Sequence, residues 1–227
     1  MKLKFRIGII LMLVSFISVH GQTTGEQRYF EQFVLNWVDS GRSIDEAALI
    51  RTFNTLNTVR NRYQGGERTF FDQYLLNWVA STRSIDEAAL TRTFNTLNIA
   101  RNRYSGGDRS FFDQFLFHWV ASTKNIDEPS IIRTFNALNA ARNRYSSGEQ
   151  TVFNQFVYNW VDSSKNIEEA AMTRSLNAMF AARRRLSGNE QTFFDQFMLN
   201  WTGNSSYIDE EALIRSFNAL LAARRRY

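Results

Sequence analysis

The chain has no cysteine. That excludes disulfide cross-links, thiolate nucleophiles and cysteine-based zinc clusters, and leaves apolar packing to hold the fold. Histidine is almost as scarce. His20 lies in an N-terminal segment read below as a leader, so His118 is the only one in the rest of the chain. One imidazole cannot build a His-based metal site. No strand is read, so the paired glycines are helix caps and not a phosphate loop. The expectation is a protein that is not an enzyme and uses no cofactor or metal.

Charge of one sign is lacking too. The whole chain has 27 Lys+Arg against 22 Asp+Glu. Residues 1–21 hold three of the bases and no acid, which leaves 24 bases against 22 acids beyond them. A nearly neutral total steers few polyanions from a distance, so neither nucleic acid nor an anionic membrane is the expected partner.

Long apolar runs are confined to the start. Lys2, Lys4 and Arg6 precede Ile7 to Val19, interrupted only by Gly8, Ser15 and Ser18, and Gly21 offers a small residue before Gln22. A bilayer span needs about 20 residues. Residues 1–21 therefore read as a signal peptide, with an uncleaved anchor as the alternative. The expected location is secreted, extracellular, with no membrane contact after cleavage. Two Asn-x-Ser/Thr sequons, at Asn200 and Asn204, suit a secretory route.

Aromatic residues are what the chain has in quantity, with 20 Phe and 5 Trp. The tryptophans set a period: Trp37, Trp78, Trp119, Trp160 and Trp201 are 41 residues apart. Cut on that period, the chain gives repeats 23–63, 64–104, 105–145, 146–186 and 187–227. A fixed period of this size marks a stacked repeat protein.

Each repeat carries two helical patterns. The first is read over Thr69–Val79, with Phe71, Tyr74, Trp78 and Val79 on one face and Thr69 with Asp72 as a capping pair. The second starts after Asp86, an N-cap shared as Asp45, Asp127 and Asp209, with Glu168 a weaker substitute. The preceding Ile44, Ile85, Ile126, Ile167 and Ile208 can staple onto the first turn. Pro129 falls two residues past its cap, where a missing N–H costs nothing. Arginines crowd the last turn, favourable at a helix C-terminus. The fold class expected is all-α, five tandem helical hairpins of a short and a long helix stacked as an α-solenoid-like array of ten helices.

Some polar residues recur in every repeat. Gln73, Glu87, Arg92 and Asn95 in the second, and Gln114, Glu128, Arg133 and Asn136 in the third, represent the set. One reading makes them hydrogen-bonded ladders between units; the other, a polar stripe that reads a repetitive partner. The pattern breaks once: Asn57, Asn98 and Asn139 are followed at the same position by Phe180 and Leu221. Those two are candidate partner-docking residues, with a homodimer through the C-terminal repeats as the favoured outcome. The function expected is a binding scaffold for a protein or other extended extracellular partner. The alternative is a structural, self-assembling extracellular material.

Overall fold

The computed structural model describes residues 25–81, 84–122, 125–163, 168–204 and 209–226. The expected leader at 1–21, the expected staples Ile167 and Ile208, and Tyr227 lie outside the described residues. Among the described residues there are ten helices and no strand. They are α1 (Gly25–Asp39), α2 (Glu46–Arg60), α3 (Gly65–Ala80), α4 (Glu87–Arg101), α5 (Gly106–Ala121), α6 (Glu128–Arg142), α7 (Ser147–Asp162), α8 (Glu169–Arg183), α9 (Asn189–Asn204) and α10 (Glu210–Arg224). None is long and apolar enough to cross a membrane.

The helices form two layers. α1, α3, α5, α7 and α9 pack side by side in one, and α2, α4, α6, α8 and α10 in the other. The odd-numbered helices lie against one another over more of their length than the even-numbered ones do.

The second helix of each unit starts as its sequence indicates. Asp45, Asp86 and Asp209 accept hydrogen bonds from the N–H groups of Ala48, Ala89 and Ala212 at 3.0, 2.9 and 2.9 Å. Each satisfies an amide that has no partner within its helix. Asp127 does not cap, because the Ser130 hydroxyl takes its carboxylate. Glu168, with its longer side chain, makes no cap bond either.

The first helix departs from expectation. α3 begins at Gly65, not Thr69, so the two helices of the hairpin have 16 and 15 residues and neither is the short one. The Thr69 hydroxyl donates back to the Gly65 carbonyl, inside the helix. Gly65 and Gly106 open their helices at φ 52°, a region costly for any residue with a Cβ. Ser147 stands at that position in the fourth unit, and the helix is started differently there. Glu149 accepts from the Ser146 N–H at 3.2 Å and from its hydroxyl at 3.0 Å.

The core runs the length of the array. Phe71, Tyr74, Phe94 and Leu97 are fully buried and Trp78 nearly so. Phe94 is the centre of an aromatic cluster, with Phe70, Phe71 and Tyr74 of its own unit at 5.4, 4.8 and 5.3 Å. Tyr63, from the preceding unit, closes it at 5.0 Å. Phe135 repeats the arrangement with Phe111, Phe112, Phe115 and Tyr104. The tryptophans also latch the loops between the two helices of a hairpin. The indole N–H of Trp37, Trp78 and Trp119 donates to the carbonyl six residues on, at 3.3, 3.2 and 3.0 Å.

Candidate interaction surface

The polar residues shared by all units sort into junction groups and surface groups. At each junction a hydroxyl donates to the glutamate of the next unit. Thr52 meets Glu87 at 2.8 Å, Thr93 meets Glu128 at 2.5 Å, Thr134 meets Glu169 at 2.6 Å, and Ser175 meets Glu210. The Thr134 hydroxyl holds the Glu169 carboxyl below the usual carboxylate range, against the opposing effect of burial. Tyr63 and Tyr104 donate to the side-chain oxygens of Asn95 and Asn136 at 2.6 Å, and Tyr145 to Asn177. Burial pushes all three tyrosines up from 10.0.

A third junction contact is not apparent from the repeat reading. The last helical arginine of one unit clasps an acid of the next. Arg60 holds Asp72 at 2.5 and 2.9 Å, Arg101 holds Asp113 at 2.6 and 2.8 Å, and Arg183 holds Asp195 at 2.6 and 2.9 Å. At the third junction Arg142 meets Asn154 at 2.8 Å and Asp108 of its own unit at 3.0 Å. Two parallel N–H···O bonds to one carboxylate fix geometry as well as energy. Arg60 and Arg101 are buried, with their guanidinium groups over the rings of Tyr29 and Phe70 at 4.1 and 4.3 Å. Asp72, read from sequence as half of a capping pair, is the receptor for Arg60. The signal was present: an Arg and an Asp twelve residues apart recur at three of the four junctions.

Gln73 and Gln114 are exposed on the layer of odd-numbered helices, in a groove with His118. His118 stacks on Tyr158 at 4.8 Å and bonds Asp162 of the next unit at 2.8 Å. Arg92, Asn95, Arg133 and Asn136 are exposed on the other layer. Glu87, Arg92, Asn95 and Ile99 line a shallow groove of about 630 Å³ between α2 and α4. The eight residues therefore do not form one stripe. Gln73 and Gln114 sit on one helix of the hairpin and the others on its partner, whose outer sides belong to different layers.

Phe180 and Leu221 are 1% and 5% exposed. Docking through these two side chains is thus corrected: both are packed inside the chain. Phe180 is accompanied by a second change, Leu176 where Phe53, Phe94 and Phe135 stand, so the ring has moved one helical turn within α8. The Asn oxygens it replaces, on Asn57, Asn98 and Asn139, are buried without a hydrogen-bond partner among the described residues. Exchanging such a group for an apolar one loses no hydrogen bond at that oxygen.

The even-numbered layer exposes arginines at recurring positions. Arg51, Arg92, Arg133, Arg174 and Arg215 are exposed, as are Arg62, Arg103, Arg144, Arg185 and Arg226 just past the helix ends, and none makes an ion pair among the described residues. The two of each unit are eleven residues apart, one within the helix and one in the turn that follows it. Six other arginines are paired with acids. Asp72, Asp113 and Asp195 are in clasps, and Asp108, Glu149 and Glu190 pair with Arg142, Arg184 and Arg225.

No protein-family model, curated protein or solved structure matches the chain. The fold defines the class: an all-helical tandem array of hairpins, stacked in two layers.

Proposed function

We propose that the protein is a secreted, non-catalytic scaffold whose even-numbered layer receives an extended acidic partner. The observation that carries this is the recurrence, in every unit, of two exposed arginines that make no ion pair among the described residues. An extended chain of carboxylates can engage several units at once, so that weak single contacts sum through effective concentration. Asn95 and Asn136 add directed donors. Their oxygens accept from Tyr63 and Tyr104, which leaves the amide N–H groups for a partner. Adjacent helices about 8–10 Å apart make the array a ruler with one binding step per unit.

Poly-glutamate is the probe. Titration calorimetry at low salt is expected to show binding that weakens as salt rises, because exposed charges are screened. Replacing Arg92 and Arg133 by Ala together is expected to weaken it further while leaving the melting temperature unchanged. No binding, or binding indifferent to both substitutions, contradicts the reading.

A further inference from the structure

The two ends of the array carry the two halves of the junction that its interior repeats. Leu56, Leu97, Leu138 and Met179 are fully buried, each with another unit following. Leu220, at the same position in the fifth unit, is 47% exposed. Phe197 of α9 is only half-buried, where Tyr74, Phe115 and Phe156 are covered completely. The opposite end shows the counterpart. Phe30 and Phe53 are half-buried where Phe71 and Phe94 are sealed under Tyr63 of the unit before.

The polar groups at the ends are complementary in the same register. Arg224 holds the position of Arg60, Arg101 and Arg183, and its guanidinium lies over Phe193 at 5.2 Å as that of Arg101 lies over Phe70. It clasps no acid among the described residues. Glu31 holds the position of Asp72 and meets no arginine among the described residues. Ser216 stands where Ser175 donates to Glu210, and Glu46 stands where Glu87 accepts from Thr52. Neither Ser216 nor Glu46 has a side-chain partner among the described residues.

We infer that copies of this chain join head to tail through a fifth instance of their own junction. Arg224 of one copy clasps Glu31 of the next, Ser216 donates to Glu46, and Leu220 and Phe53 are buried. The occupant of each end is a second copy because the surface it needs is the one the interior junctions already use. The two faces in contact differ, so the arrangement is heterologous and propagates as an open filament unless its rotation closes a ring. It uses the ends of the array and leaves the arginine face free, so it stands independently of the scaffold reading.

The test is sedimentation of the protein purified after expression of the full chain in a secreting host. The mass is expected to rise with concentration in steps of one chain. Arg224→Glu and Glu31→Arg each place like charges across the junction, and each variant alone is expected to sediment as a single chain. Mixing the two variants restores opposite charges at every contact, as does the double variant, and both are expected to regain assembly. Circular dichroism identical to wild type shows that the exposed substitutions leave the fold intact. A wild-type protein that stays a single chain up to its solubility limit overturns the inference, whether residues 1–24 cover the first unit or the ends simply do not attract. So do single variants that assemble like wild type, or a mixture that stays dissociated.

Discussion

The ring of Tyr145 lies 4.7 Å from that of Phe180, whereas Tyr63 and Tyr104 lean on Phe94 and Phe135 at 5.0 and 4.9 Å. One unit has moved its phenylalanine a helical turn along α8 and kept the same interunit aromatic contact. Phe180→Asn alone removes the ring with no replacement and is expected to cost about 3–5 kcal/mol, the range for emptying a buried aromatic site. Adding Leu176→Phe recreates the arrangement of the first three units and should recover most of that loss. Chemical denaturation of the two variants checks it. A double variant no more stable than the single one would show that the two positions do not exchange roles.

Trp119 is nearly buried and donates to the Asn125 carbonyl at 3.0 Å. Trp119→Ala therefore opens a cavity and frees the loop after α5, with an expected cost of about 3–5 kcal/mol. An unchanged melting curve would mean that the indole lies on the surface.

At the third junction Asn154 replaces the acid that Arg60, Arg101 and Arg183 hold. Asn154→Asp turns a neutral acceptor into a charged one facing a buried guanidinium. A charge-assisted bond is roughly twice as strong as a neutral one, so a gain of about 1 kcal/mol is expected. The gain is modest because Arg142 already has Asp108 at 3.0 Å. Denaturant midpoints of the two proteins measure it, and a loss of stability would contradict it.

Stability should fall at both extremes of pH. Hydrogen bonds from Arg184 and Thr134 depress Glu149 and Glu169 below 4.5. Their contribution is therefore complete above that value and is lost as pH falls through the lower folded-state values. Tyr63, Tyr104 and Tyr145 are raised above 10.0 by burial, so theirs is complete below that value and is lost as pH rises through the folded-state values. Melting temperature against pH is the measurement. Glu169→Gln is expected to flatten the acid limb and leave the alkaline limb unchanged.

The period of the tryptophans, the Asp caps and the apolar face through Phe94 and Leu97 made the all-helical hairpin array legible before any coordinates. These features are local: a cap acts within one turn, and helical spacing states which residues share a face. What periodicity could not state is which neighbour covers that face. Asp72 lies at a spacing from Thr69 that fits a cap, yet its carboxylate goes to Arg60 in the unit before. Gln73 and Arg92 recur with equal regularity, but the hairpin sends them to different layers. Phe180 reads as an exposed apolar patch in the sequence, but it is buried with its ring against Tyr145 of the unit before.

One contact set recurs between successive units, and a double-mutant cycle on Arg101 and Asp113 tests it most directly. The pair joins α4 of one unit to α5 of the next through bonds of 2.6 and 2.8 Å. With Arg101→Ala, Asp113→Ala and the double variant unfolded in denaturant, the expected coupling energy is about 1.5–3 kcal/mol. Stability changes that add to within about 0.3–0.5 kcal/mol would place the two residues apart and contradict the stacked junction.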